Sequence, residues 1–586
     1  MSSALGVVAI VGTALLTLLV GAFGLRASRT TSDFYVASRS VTPWWNASAI
    51  GGEYLSAASF LGIAGLVLAY GADMLWFPVG YAAGYLLLLV LVAAPLRRSG
   101  AYTLPDFAES RLESIRVRRA ATLLVVAIGW LYLLPQLHAA GLTLTTVTGA
   151  PHWVGPLTVA GVVLGSVVIG GMRSITLVQA FQYWLKLTAI AIPALVLIVV
   201  WRADGAPDVA PDGPVRAVEQ TTVRVSTPVL LDVADTTTLT VDGTLDGDPV
   251  AGTVTLEPGT VEIGAGTTLV LEPGTPVPHA EQLRPLDGEA WTLPLQGASE
   301  YPLYATYSLI LALFLGTMGL PHVLVRFYTN PDGRAARRTT LTVLGLLGVF
   351  YLFPTIYGAL GRLYTPELLL TGRTEAVVLL LPGALVDGPG GEALTVLVTA
   401  GAFAAFLSTA SGLTVSVAGV ISQDMLAARV RSPVTAFRIG AVLALVAPVC
   451  GALLGPTLGI ADVVGLAFAV AASSFCPLLV LGIWWRRLTD VGALAGLAVG
   501  GGASSAAVLV TIVSGAPPGV AGALLAQPAA WSVPLAFATM IVVSLATPGR
   551  VPVGMRRSMV RLHTPEDVHL DRGDFDPEAR FRRQRS

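Results

Sequence analysis

Charge is what this sequence has least of. Asp, Glu, Lys and Arg make up 12% of its 586 residues, about half the share of an ordinary soluble domain. A soluble core needs a charged cover, so a soluble enzyme and a disordered chain are both excluded. Cysteine occurs only at Cys450 and Cys476, each inside an apolar stretch, which argues against a disulfide framework or a thiolate metal site. Lysine occurs once, at Lys186. A GxxxxGK(S/T) phosphate loop is missing, as are a nucleophile–base–acid set and metal-ligand spacing. An ATP-driven pump and an enzyme are therefore not expected. No basic face is present to receive nucleic acid.

What is present is apolar. Hydrophobic residues make up 54% of the chain and fall into stretches of about 20, the length that crosses hydrocarbon as a helix. Thirteen such stretches are expected, near 4–25, 44–70, 74–96, 120–147, 154–172, 175–201, 302–327, 339–361, 391–422, 436–455, 463–485, 491–514 and 531–547. The first lacks a basic leader and is read as a retained helix. The expected architecture is an all-α polytopic membrane protein.

Arginines orient it. They cluster in alternate connections: Arg26, Arg29 and Arg39; Arg97 and Arg98 with Arg111 to Arg119; Arg173; Arg334, Arg337 and Arg338; Arg429 and Arg431; Arg486 and Arg487. That side is expected to be cytoplasmic, with the N-terminus outside and the C-terminal tail inside. The arginine-rich, nearly lysine-free composition fits a high-GC bacterial genome, hence a bacterial cytoplasmic membrane. Net charge is -1, yet residues 203–300 hold 16 acids and 3 bases, leaving 32 bases against 20 acids elsewhere. This acidic stretch alternates Thr, Val and Leu with Asp-Gly and Pro-Gly turns, so a small β-rich extracytoplasmic insert is expected.

The chain thus divides into a first span and loop (1–43), five spans (44–201), the insert (202–301), five spans (302–487), two accessory spans (488–547) and a short tail (548–586). Span two carries Gly51-Gly52-Glu53, then Ser56 and Ser59; span seven carries Gly316, Gly319 and Pro321. Such residues either kink a helix for packing or open it within the bilayer. They stand at the start of two five-span groups that enter the membrane from opposite sides, the pattern of an inverted-repeat secondary transporter. Span nine has a small, hydroxyl-rich face of Ala405, Ser408, Thr409, Ser411 and Thr414, suited to helix packing or to a hard cation. In span six Gln179, Gln182 and Lys186 follow i, i+3, i+7 on one face, and Lys186 must point into the bundle. It could pair with Glu53 or act on an anionic substrate. The membrane histidines His138 and His322 are read first as satisfied interior groups.

The stretches "SDFYVASRSVTPWWNASAIGGEYLSAASFLG", "GTMGLPHVLVRFYTNPDGRAARR", "STASGLTVSVAGVISQDM" and "VGLAFAVAASSFCPLLVLGIWWRRLTDVGALAG" resemble the sodium:solute symporter family, within it the bacterial cation/acetate (monocarboxylate) symporters. The resemblance covers most of 33–500 but not the insert. It implies a LeuT-type 5+5 inverted repeat with one helix before the core and two after. It also implies a sodium site of backbone carbonyls of Gly52, Leu55 and Ala405 with the hydroxyls of Ser408 and Thr409. The substrate would lie against Glu53, Ser56, Ser59, Thr317, Gly319 and His322. Acetate-type members have "GDYMSAASFLG" at the first break, so Glu53 and Leu55 depart from that pattern. The expected partners are sodium as co-transported ion, a small solute such as acetate, propionate or pyruvate, and the lipid bilayer. No other cofactor or obligate protein partner is inferred. Another solute (proline, a sugar, urea), a membrane sensor, a channel, and proton in place of sodium remain as alternatives.

Overall fold

The computed structural model describes residues 3–25, 40–225, 227–296, 300–455, 459–566 and 568. Arg26, Arg29 and Arg39, and the tail beyond 568, lie outside the described residues. Among the described residues, eleven helices are long and apolar enough to cross a membrane. One apolar stretch, Ala58–Arg98, turns at Gly71, whose φ of +62° suits glycine, and so carries two of the expected spans. Val154–Val168 is apolar but shorter. With these two adjustments the helices match the thirteen expected segments.

The segment Val154–Ala203 is helical, and its apolar residues fall into two stretches, Val154–Val168 and Met172–Ala203. Gly155 packs on Ala140 and Asp204 accepts from Tyr364, while the Val168 carbonyl near its middle accepts from Arg438. Its second half carries Gln179, Gln182 and Lys186 and is termed the lysine helix. The long helix Gly388–Ile421, here the hydroxyl helix, packs along it more extensively than any other pair of elements in the fold.

Both expected breaks are present. The first helix, Pro43–Tyr54, ends at Leu55 and resumes as π-helical Ala58–Gly62 and then Ile63–Tyr70. The second, Pro302–Thr317, breaks at 318–320 and resumes as Pro321–Val325 and a 3-10 turn to Thr329. They lie side by side and run in opposite directions. Asn46 Nδ2 donates to the Arg326 carbonyl at 3.1 Å, while Tyr54 and Thr317 share a hydroxyl hydrogen bond of 2.9 Å.

The glycines at the breaks do something other than expected. Helix Pro43–Tyr54 runs straight through Gly51 and Gly52. A Cβ on Gly51 would strike the Tyr183 ring, and one on Gly52 the Gln179 backbone. Gly316 and Gly319 are likewise pressed against the carbonyls of Phe468 and Ala471 on Ile460–Trp484. These glycines permit close approach between helices.

The insert forms one antiparallel sheet: β1 Thr221–Arg224, β2 Val229–Val233, β3 Thr237–Leu245, β4 Asp248–Leu256, β5 Gly259–Ile263, β6 Thr268–Leu271 and β7 His279–Ala280. The order is β1-β6-β3-β5-β2-β7, with β4 paired to β3. Asp246 (φ +48°) and Gly247 (φ +87°) make the tight turn between β3 and β4, as an Asp-Gly pair favours. Leu231, Val241, Ile263 and Leu269 form its core, which Leu370 of the membrane part joins. Beyond β7, Trp291 Nε1 donates to the Val67 carbonyl at 2.9 Å, and Leu286 N donates to the Ala69 carbonyl at 2.9 Å. The insert is therefore strapped to the far end of the first broken helix.

Candidate functional site

The two breaks, the lysine helix and the hydroxyl helix meet in the middle of the bundle. Glu53 and Arg326 are each 1% exposed, and Arg326 Nε donates to Glu53 Oε2 at 2.7 Å. Arg326 also donates to Thr176 Oγ1 at 2.8 Å, to Met172 Sδ and to Gln179 Oε1. Gly412 on the hydroxyl helix leaves the room that the Glu53 carboxyl fills. Glu53 thus has a partner other than the one considered from sequence: it pairs with Arg326, not with Lys186. Sequence reading missed Arg326, although an arginine inside the span Pro302–Thr329 is itself a signal.

Lys186 does something different. Its ammonium donates to the Gly52 carbonyl, to the Leu55 carbonyl at 2.7 Å and to Ser408 Oγ at 2.9 Å. The last residues of the first half-helix leave their carbonyls without the next turn's amides, and these oxygens are what the ammonium collects. Ser408 Oγ donates to the Ala405 carbonyl at 3.0 Å, and Thr409 Oγ1 donates to the Glu53 carbonyl at 2.7 Å. All five residues assigned to the cation from the resemblance are fully buried and lie around this point. Gln179 Nε2 donates to the Ser408 carbonyl at 2.8 Å, whereas Gln182 turns to Thr17 on Ser3–Leu25 at 3.0 Å. Gln179 and Lys186 therefore act at the junction, and Gln182 fastens the first helix.

The residues assigned to substrate are all buried but divide in their bonding. Ser59 Oγ shares a hydrogen bond with Tyr351 at 3.0 Å, and Thr317 Oγ1 bonds Tyr54 and its own helix at Leu313. Gly319 is a packing contact. Ser56 and His322 both neighbour Tyr132, the His322 ring stacking on it at 5.1 Å. Neither ring nitrogen of His322, nor the Tyr85 hydroxyl, has a hydrogen-bond partner among the described residues. Around them Tyr54, Tyr81, Tyr85, Tyr132 and Phe468 pack ring on ring at centroid spacings of 4.8–6.2 Å. Sequence reading missed this aromatic cluster, because each ring alone looks like core.

Known proteins share this fold. The family profile of the sodium:solute symporters matches residues 34–210 and 289–500. The chain belongs to that family. The stretch the profile skips holds the sheet of the insert, the part that the sequence marked as an addition. This symporter is 32% identical over 545 residues to a monocarboxylic acid transporter of Corynebacterium glutamicum, covering 88% of this chain and 86% of that one. It is 30% identical over 544 residues to the uncharacterized symporter YwcA of Bacillus subtilis, covering 90% and 91%. A sodium-coupled sialic acid symporter, captured in a substrate-bound outward-open state, superposes with a TM-score of 0.62 at 13% identity, covering 92% of this chain and 97% of that one. The fold is of LeuT type.

Proposed function

We propose that this symporter couples inward sodium movement to uptake of a small monocarboxylate, acetate, propionate and pyruvate being the leading candidates. The observation that carries the reading is the junction of the first break with the hydroxyl helix. There, neutral oxygens of Gly52, Leu55 and Ser408 gather round one buried positive charge. A site that holds an ammonium on carbonyl and hydroxyl oxygens is chemically suited to an alkali cation. The carboxylate of the solute belongs near Ser56 and His322, whose buried polar atoms have bonding capacity to offer it. The close aromatic packing favours a short acid over a sugar. The resemblance to a monocarboxylic acid transporter points the same way.

Membership of the family and the proposed orientation together put the coupling energy in the right direction. Sodium entering a cell moves down its gradient and down the membrane potential, worth about 2.3 kcal/mol per charge per 100 mV. The test is labelled acetate uptake into proteoliposomes with sodium, potassium or proton gradients imposed one at a time. Uptake that needs inward sodium and is competed by propionate or pyruvate is the expected result. Sodium-driven uptake of some other solute, with no acetate signal, would remove the monocarboxylate.

A further inference from the structure

The chain has one lysine, against 34 arginines, and that lysine sits where the resemblance places sodium. Its three N–H donors meet three oxygens, those of Gly52, Leu55 and Ser408, and Lys186 is fully buried. The remaining two members of the set are engaged as well: the Ala405 carbonyl accepts from Ser408, and Thr409 donates to the Glu53 carbonyl. With Lys186 in place, three oxygens of the set already face a positive charge, and the Ala405 carbonyl and Thr409 hydroxyl keep only the lone pairs that their hydrogen bonds leave. The nearest carboxylate, Glu53, binds Arg326 through Oε2 while its Oε1 has no hydrogen-bond partner among the described residues, so one carboxylate faces two positive charges, Arg326 and Lys186, before any sodium arrives. The hydroxyl helix faces Lys186 with neutral groups; its one acid, Glu392, lies near the far end.

We infer that Lys186 is a tethered cation held in the sodium position, so that sodium and the Lys186 ammonium are mutually exclusive occupants of one site. This rests on the cation site proposed above and deepens it: sodium enters only as the lysine withdraws, and the lysine restores the site when sodium leaves. The residue type suits the role. An ammonium is a compact point charge on a flexible four-carbon stem, able to imitate an alkali ion and to swing away, where a planar guanidinium can do neither. Every other cationic side chain of the Lys/Arg type in the protein is that guanidinium.

The single lysine also supplies the test. Selective labelling of lysine Nζ with nitrogen-15 in the full-length protein, expressed without lysine in any tag, yields one resonance, that of Lys186. Sodium added to purified protein in nanodiscs should shift this signal to saturation, with no change from choline at equal ionic strength. A resonance indifferent to saturating sodium overturns the inference.

Radiolabelled-sodium binding gives a second, independent reading. Lys186→Ala should bind sodium about tenfold more tightly than the wild type, since the competing occupant is gone. Lys186→Arg, permanently charged and larger, should bind less. An alanine variant that folds yet binds sodium no better than the wild type would also overturn it. Neither measurement uses a solute, so failure of acetate uptake leaves this inference standing, and its own failure leaves the transport reading standing.

Discussion

Arg326 is the residue on which most of the buried polar chemistry converges. It joins Glu53 of one break to Thr176 and Gln179 of the lysine helix, all out of reach of water. Removing one partner of a buried ion pair leaves the other uncompensated and costs about 3–5 kcal/mol. Arg326→Ala should therefore unfold at clearly lower temperature, as read by thermal aggregation in detergent. The pair Glu53→Gln with Arg326→Met should recover most of that loss but not transport, because the charge pair between the two breaks is gone. A second residue-scale expectation concerns the hydroxyls. Ser408→Ala with Thr409→Ala deletes two polar contacts of about 1 kcal/mol each, so the half-saturating sodium concentration for uptake should rise roughly tenfold or more. Unchanged sodium dependence in a well-expressed double variant would move the cation site elsewhere.

At the scale of the element, the broken helices depend on how near their neighbours can come. Gly52 has no room for a methyl group because the Gln179 backbone already occupies that space. Gly52→Ala must push the first break away from the lysine helix. It should cost about 1–3 kcal/mol and also widen the set of oxygens round Lys186. Gly12→Ala on Ser3–Leu25, where nothing lies within 4 Å of the added atom, is the matched control. Loss of uptake and of melting temperature in the Gly52 variant alone is the expected outcome; equal behaviour of the two would refute the close-approach account. The two breaks also resume differently, the first through a π-helical turn and the second through a short helix and a 3-10 turn. The repeat is thus one of placement and direction, without identical local geometry.

For the molecule as a whole, charge is concentrated at the two ends. On the insert side, Arg362 pairs with Asp287 at 2.7 Å and lies over the Trp291 ring, tying the sheet to the bundle. On the opposite side, Arg118 is shared by Asp106, Glu109 and Asp424. Glu109 sits on the short helix Leu104–Leu112 between spans, and burial, opposed by Arg118 and aided by Asp106 and Asp424, raises its pKa from 4.5 to about 7. Between the two values the folded chain keeps a proton on Glu109 that the unfolded chain has lost. The Glu109 contribution therefore favours folding at acid pH and is lost as pH rises from about 4.5 through about 7. Melting temperature should fall across that window in the wild type, and Glu109→Gln should flatten this part of the profile. A variant that keeps the same slope would assign the pH dependence to another group.

Local composition was enough to establish the membrane class, the positions of the spans, the strand-and-turn insert and both breaks. Each depends on residues close together in the chain: a run of apolar side chains, Asp246 before Gly247, Pro321 after Gly319. Resemblance to a family added the hydroxyls of Ser408 and Thr409 and the carbonyls of Gly52, Leu55 and Ala405 as a set. Only the folded chain decided which charges meet. Lys186 reaches Leu55 across 131 positions, and Arg326 reaches Glu53 across 273, so no pattern read along the sequence could choose between Glu53–Lys186 and Glu53–Arg326. The glycines make the same point. Their presence beside the breaks was legible, but whether they loosen a helix or admit a neighbour depends on what stands within 4 Å, and that is a property of packing. An ammonium goes where three free carbonyl and hydroxyl oxygens converge, and such convergence exists only once the helices are together.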